Sequence, residues 1–325
     1  GGSNTAMGYQ ALDAFTTGHS NAAFGHTALS ALTTGETNTA LGVRAGLVLT
    51  EGDSNVFVGK DAGDSATVIN EAVLIGHNAG HTISTSTGVD GTVGIGAEAL
   101  ASLTVGAQNV AIGYEALEEL TEGYNNVALG YQAGTSISST TSTDNTIIGD
   151  RAGTGGSGVM AYCTAIGSGA LNGTGTRNST MNTAIGMNSM GGTFGGTVNY
   201  NTAVGGNTMT GALNAANYNV AVGYTTLQNL TTGDSNVALG YQAGYSLTSG
   251  GSNVIIGHEA YRVGTNSTNV VIGSEAAKTT TNANDGVWIG ASANKQGTGG
   301  GGGVIIGYTA GQYTQGTGMV HVGQY

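Results

Sequence analysis

One nine-residue phrase, NVALGYQAG, occurs twice in this chain, at residues 126–134 and 236–244. When the sequence is aligned on the glycine inside the phrase (Gly130 and Gly240), the frame Asn-Thr/Val-Ala-Ile/Leu-Gly recurs along the whole chain. Nineteen units follow one another at spacings of 16 to 20 residues, most often 17. The aligned glycines, here called anchor glycines, are Gly8, Gly25, Gly42, Gly59, Gly76, Gly96, Gly113, Gly130, Gly149, Gly167, Gly186, Gly205, Gly223, Gly240, Gly257, Gly273, Gly290, Gly307 and Gly323.

This period predicts the fold class. A 17-residue unit is too short for a helical-hairpin repeat and suits one coil of a parallel β-solenoid, or β-roll. The residues three and one before the anchor are apolar or Thr, as at Val127 and Leu129. Because side chains alternate along a strand, we expect this pair to share one face of a short strand and to fill the core.

Two residue types mark the ends of the predicted strand. The anchor glycine is expected to turn the corner after it, because glycine tolerates backbone conformations that other residues avoid. Thirteen of the nineteen units carry Asn four residues before the anchor, and we expect this Asn to hydrogen-bond at the corner before the strand. In the least diverged units these structural corner residues are Gly113, Gly130, Gly223, Gly240, Asn126 and Asn236.

Composition supports an all-β chain. There is no proline among 325 residues, which fits a backbone whose amides are committed to neighbouring coils. Glycine is abundant, with 61 residues and no three-residue period, as corners in every coil require. We expect one continuous, rod-shaped repeat domain over residues 1–325. We also expect it to be an internal piece of a longer fibre, since both ends lie within the repeat frame.

Charge and hydropathy exclude several classes of protein. No run of 18 apolar residues occurs, so we expect no membrane insertion. A net charge of −12 with seven Lys and Arg argues against a nucleic-acid partner. The residues show no catalytic constellation, and we expect no enzymatic activity, no cofactor and no metal.

The repeat frame can be written N-[TV]-A-[IL]-G-x-x-A, as in NVAIGYEA (109–116) and NTAIGMNS (182–189). This frame resembles the repeats of known fibre proteins. The chain resembles the β-roll heads of trimeric autotransporter adhesins, and more closely the glycine-rich repeats of phage tail fibres. The resemblance spans all nineteen units, although they are longer than the adhesin repeat. It implies a homotrimer of rolls packed side by side, on a virion surface or a cell-surface appendage.

The residue after the anchor glycine is the main candidate for binding. It is Tyr or His in nine units, and equivalent residues of neighbouring coils are expected to lie about 4.8 Å apart. The row is therefore predicted to form an aromatic ladder, used either for packing or for stacking on the sugar rings of a glycan. Its members are Tyr9, His26, His77, Tyr114, Tyr131, Tyr224, Tyr241, His258 and Tyr308.

Other candidates have simpler explanations. His77 and His81 are expected to be a surface pair, and Cys163, which replaces the Asn of its unit, a small half-buried residue. The carboxylates Glu115, Glu118, Glu119 and Glu122 suggest a solvated face. Like charges in adjacent coils should repel, so a shared cation such as calcium is a further possibility for the pairs Glu98–Glu115 and Glu259–Glu275.

Three functions remain open from the residues. The first is a structural fibre segment that displays or forms an attachment surface for a cell-surface receptor. The second is a glycan-binding module that uses the Tyr/His ladder. The third is an ice-binding or self-assembling extracellular filament, which we rank lowest because ice binding needs regular rows of Thr.

Overall fold

A computed structural model describes residues 2–83, 89–281, 283–297, 301–314 and 316–324. The predicted parallel β-solenoid is confirmed. The strands recur about every 17 residues, and the described ranges contain no helix. The coils group into two compact units, residues 1–162 and residues 163–325.

Among its described residues, the first unit contains nine three-residue strands and one two-residue strand. The three-residue strands pair in parallel, each with the next along the chain, and equivalent residues of successive repeats are partners. The strands are Thr5–Met7 (β1), Ala22–Phe24 (β2), Thr39–Leu41 (β3), Val56–Val58 (β4), Val73–Ile75 (β5), Val93–Ile95 (β6), Val110–Ile112 (β7), Val127–Leu129 (β8), Thr146–Ile148 (β9) and Met160–Ala161 (β10).

The second unit repeats this arrangement with ten three-residue strands. They also form one parallel, in-register ladder, and two short strands of longer coils pair separately. The strands are Thr164–Ile166 (β11), Ser179–Thr180 (β12), Thr183–Ile185 (β13), Val198–Asn199 (β14), Thr202–Val204 (β15), Val220–Val222 (β16), Val237–Leu239 (β17), Val254–Ile256 (β18), Val270–Ile272 (β19), Val287–Ile289 (β20), Val304–Ile306 (β21) and Val320–Val322 (β22).

The anchor glycine follows each of these three-residue strands directly, as predicted. Gly130 has a φ of 140°, and a Cβ placed on it would lie 2.6 Å from the carbonyl oxygen of Gly149 in the next coil. Glycine is therefore required at this corner for two reasons. Other residues seldom adopt this backbone conformation, and the neighbouring coil leaves no room for a side chain.

The Asn before the strand forms a buried ladder inside each unit. The Asn236 Nδ2 atom donates to the carbonyl oxygen of Gly250 at 2.9 Å and to Oδ1 of Asn219 at 3.0 Å. Its own Oδ1 accepts from the backbone nitrogen of Asn253 at 3.1 Å and from Nδ2 of Asn253 at 2.8 Å. Asn126 makes the equivalent bonds to Asn109, Ser142 and Asn145. Asn therefore bonds at a corner, as predicted, but the corner is that of the next coil and not the one before its own strand, since Ser142 and Gly250 precede the strands Thr146–Ile148 and Val254–Ile256. The bonds of the Asn side chain extend from coil to coil.

The predicted facing of the strand was wrong. Val127 and Leu129 are 38% and 44% exposed, whereas Ala128 between them is fully buried. The Asn side chain four residues before the anchor points inward, and alternation along the strand then sends the Ala inward and its two apolar neighbours outward. In this coil the inward position of the strand is therefore filled by the small side chain of Ala128.

Side-chain volumes in the core compensate one another between neighbouring coils. Where the inward residue of the strand is large, as at Phe57, glycines face its ring. A Cβ on Gly46 or Gly63 would lie 2.8 Å or 2.7 Å from that ring. Both copies of the repeated phrase end in such a glycine. Gly134 lies against Leu117 and Ile147, and Gly244 lies against Leu227 and Ile255. Core packing of this density leaves little freedom for exchange.

The Asn ladder leads to a stability prediction. Asn236→Ala is expected to lower the free energy of unfolding by about 3 kcal/mol, because it leaves several buried polar groups without partners. Asn217→Ala is the matched control. Asn217 accepts from the backbone nitrogen of Asn199 at 2.8 Å, but it lies near the surface, where water can replace it, so we expect about 1 kcal/mol or less. Urea unfolding followed by circular dichroism measures both, and equal losses would contradict the ladder's role.

Candidate functional site

Four residues of each coil form what we call the outer face: those five, three and one before the anchor glycine, and the one after it. In the second unit Val237, Leu239 and Tyr241 are all exposed, and in the first unit Val127, Leu129 and Tyr131 occupy the same places. Because the strands pair in register, residues at the same position of neighbouring coils form rows along the outer face. The outer face therefore combines apolar rows with aromatic rows on a backbone of short parallel strands.

The predicted aromatic ladder is present on this face. The ring centroids of Tyr224 and Tyr241 are 6.1 Å apart, and those of Tyr241 and His258 are 5.2 Å apart, with the rings within 15° of parallel. In the first unit Tyr114 and Tyr131 stack at 5.4 Å. Tyr9 and His26 also stack at 5.4 Å. In the same row His77 is followed by Ala97, and Tyr308 is preceded by Ala291. The ladder is therefore interrupted at both places.

A second aromatic row was missed by the sequence reasoning. It lies five residues before the anchor, where Tyr200 and Tyr218 stack with centroids 4.9 Å apart and an angle of 5° between the rings. Met181 occupies the same place one coil earlier. These residues have φ values between 55° and 60°, a region that tyrosine and methionine seldom adopt. The signal was available in the column five residues before the anchor, which holds Tyr162, Met181, Tyr200 and Tyr218 in four successive units.

Stacking decides what these rows can present to a ligand. Parallel rings at 4.9 to 6.1 Å partly cover one another's faces. The ring edges and the hydroxyl groups remain open, together with the outer faces of the terminal rings. A row of this kind can donate and accept hydrogen bonds along its length, but a sugar ring can stack fully only at an end.

Tyr114 differs from the other tyrosines of the ladder because an acidic residue follows it. A hydrogen bond to Glu115, and the charge of that carboxylate, raise the pKa of the Tyr114 phenol to about 12. Glu115 also accepts a hydrogen bond from Nε2 of Gln132 at 2.6 Å. Nearby, burial first and then the charges of Glu115 and Glu98 raise the pKa of Glu118. This end of the row is therefore acidic.

The effect on Tyr114 can be measured directly. Glu115→Gln is expected to lower the pKa of Tyr114 from about 12 toward the ordinary value of 10.0, because the neutral amide no longer disfavours the phenolate. Glu119→Gln is the matched control and should leave the Tyr114 pKa unchanged. Carbon-13 NMR titration of the tyrosine ring, assigned with Tyr114→Phe, gives the values. An unchanged pKa in Glu115→Gln would refute the assignment.

The suggested cation between Glu259 and Glu275 is corrected by the structure, which places a lysine there. Nζ of Lys278 bonds to Glu259 and lies 2.8 Å from Oε1 of Glu275, and Nζ of Lys295 lies 2.5 Å from Oε2 of Glu275. These hydrogen bonds hold the pKa of Glu275 down at about 2. The ammonium groups of the protein itself therefore neutralise the repulsion between the two carboxylates.

This network implies a pH dependence of stability. The pKa of Glu275 is about 2 in the folded chain against an ordinary 4.5, so its stabilising effect is complete above 4.5 and is lost as the pH falls toward about 2. In Glu275→Gln the midpoint of unfolding should depend less on pH over this interval than it does in the wild type. Glu51→Gln, at an exposed residue without an ion pair among the described residues, should keep the wild-type slope. A wild-type slope in Glu275→Gln would contradict the prediction.

The remaining candidates have structural partners. Nδ1 of His81 lies 2.6 Å from Oδ1 of the buried Asp64, which also binds Nη2 of Arg44 at 2.7 Å. Cys163 is buried, and its Sγ donates to the carbonyl oxygen of Ser179 at 3.3 Å. Within the described part of the chain no group of three or more His, Cys, Asp and Glu side chains could hold a metal ion. The suggestion of a cation shared by Glu98 and Glu115 stays a prediction.

The chain matches no known protein-family model and no curated protein. In the ranges that the structure describes, no helix is long and apolar enough to cross a membrane.

Proposed function

We propose that this chain is a structural segment of an extracellular fibre, which associates with copies of itself as a homotrimer and carries an attachment surface. The observation that carries the proposal is the outer face of the coils. Its rows of Val, Ile and Leu remain partly exposed on a regular β-solenoid, with Val127, Leu129, Val237 and Leu239 among the most exposed, and exposed apolar patches of this kind mark interaction sites. The resemblance to trimeric fibre repeats supports an assembly of three copies.

The interior of each unit supports a mechanical role. Neighbouring coils of each unit are bonded through the strand ladder and through turn bonds such as Leu227 N to Ala243 O at 3.0 Å. Neighbouring coils that both carry the Asn are also bonded through the Asn ladder. In a stack of this kind stability grows with the number of coils, because each coil adds a further interface. The result is a stiff support on which the outer face can be repeated without long loops.

The apolar rows supply a physical reason for association. Val237 and Leu239 are 40% and 47% exposed, with Val220 and Val222 in the preceding coil. Covering such side chains stabilises a complex by roughly 25 cal/mol per Å² of apolar surface. Repetition over several coils multiplies this gain, so the rows favour a long interface parallel to the coil axis of each unit.

Sedimentation equilibrium tests this proposal. The wild-type chain is expected to form a trimer, and Leu239→Lys is expected to weaken association at least about tenfold, because a charge would have to be desolvated in the interface. Thr232→Lys introduces the same charge at an exposed corner off the outer face and should leave the trimer intact. A monomeric wild-type chain, or equal effects of the two variants, would overturn the proposal.

Glycan binding is the second candidate, and the exposed tyrosine rows favour it. Tyr224 and Tyr241 expose ring edges and hydroxyl groups, which can hydrogen-bond to sugars. A glycan array with the wild-type chain and with Tyr224→Ala and Tyr241→Ala separates this function from a purely structural one. Binding that is lost in both variants supports the glycan function, and absent or unaltered binding removes it.

A further inference from the structure

The stacked pair Tyr200–Tyr218 has a geometry that suits a chemical reaction between the two rings. The ring centroids are 4.9 Å apart, and the rings are 5° from parallel. Both side chains are exposed, Tyr200 by 45% and Tyr218 by 59%. A small oxidant can therefore reach both phenols, while the fold holds the rings in contact.

The backbone fixes this proximity. The backbone nitrogen of Tyr218 donates to the carbonyl oxygen of Asn199 at 3.3 Å, and the nitrogen of Asn199 donates to Oδ1 of Asn217 at 2.8 Å. The two tyrosines thus lie on adjacent, hydrogen-bonded coils of the second unit. Exposed side chains change rotamer within nanoseconds, so the rings can tilt edge to edge without any change in the coils.

We propose that Tyr200 and Tyr218 are a site of oxidative coupling, in which a peroxide-dependent one-electron oxidant joins the two rings into dityrosine. Each phenol gives up one electron and one proton and becomes a phenoxyl radical. A carbon–carbon bond forms between the two ring carbons next to the hydroxyl groups. Each of these carbons then releases its hydrogen as a proton, and each oxygen regains one. Two hydrogen atoms are lost in total, and one hydrogen peroxide molecule is reduced to two water molecules.

Proximity makes the coupling intramolecular. Two radicals held in contact within one chain react at a far higher effective concentration than radicals on separate chains. The product is a covalent link between neighbouring coils, which restricts the unfolded chain in the way that a disulfide does. This inference goes beyond the proposed fibre function. It assigns the contact between copies to the apolar rows of the outer face and leaves the row of Tyr200 and Tyr218 open to the oxidant.

The test treats the intact chain with a haem peroxidase and hydrogen peroxide, followed by proteolysis and mass spectrometry. We expect a peptide that joins Tyr200 to Tyr218, with a yield that stays constant when the protein is diluted about tenfold. Tyr218→Phe keeps the ring but cannot form a phenoxyl radical, so the cross-linked peptide should be lost. Tyr313→Phe removes an exposed tyrosine that stacks on no aromatic ring among the described residues, and the peptide should persist.

Oxidation of Met181, which is exposed in the same row, reports whether the oxidant reaches the site, because its thioether forms a sulfoxide. Met181 sulfoxide without the Tyr200–Tyr218 peptide would overturn the proposal. A yield that falls in proportion to dilution would also overturn it, since the coupling would then occur between chains. A circular dichroism spectrum of Tyr218→Phe that matches the wild type excludes loss of the peptide through unfolding.

Discussion

The buried Asn ladder is the interaction on which the rest of this structure depends. An amide side chain can donate and accept at once, so each Asn bonds to a corner carbonyl of the next coil and to the Asn of a neighbouring coil. Asn219, Asn236 and Asn253 show the pattern, with contacts of 2.8 to 3.1 Å between them. A buried amide left unpaired is costly, and this cost holds successive coils in register.

The ladder also determines the surface of the molecule. With Asn236 inward, Ala238 is inward as well, and Val237 and Leu239 point to solvent. Where the inward residue of the strand is large, glycine can face it, as Gly63 does for Phe57. The core also holds large apolar residues of the turns, such as Leu103 and Leu117, which are fully buried. The apolar residues on either side of the inward strand residue remain on the outer face.

Much of this architecture could be predicted from the sequence. The 17-residue period, the short strands and the glycine corners follow from spacing and from the properties of glycine. The facing of Val127 and Leu129 could not be predicted in this way, because a period of two shows which residues share a face but not which face is inside. The prediction placed the larger apolar residues inside, whereas the amide of Asn126 sets the facing. The ion pairs Lys278–Glu259 and Lys295–Glu275 were missed because they join residues of different coils, which only the register brings together.

The duplicated phrase NVALGYQAG contains inward residues, which build the core of the coil, and outward residues, which form its surface. Inside, Ala128 and Gly134 have the same kind of environment as Ala238 and Gly244, since a Leu and an Ile flank the glycine in both copies. Core packing therefore accounts for the identity of the inward residues. It does not account for the outward Val, Leu and Tyr, because other coils fold with Thr, Ala, Met or Phe in these places, as in Thr5–Met7 and Ala22–Phe24. The outward residues are free to vary as far as the fold is concerned, so their repetition on both units agrees with the proposal that the outer face meets a partner.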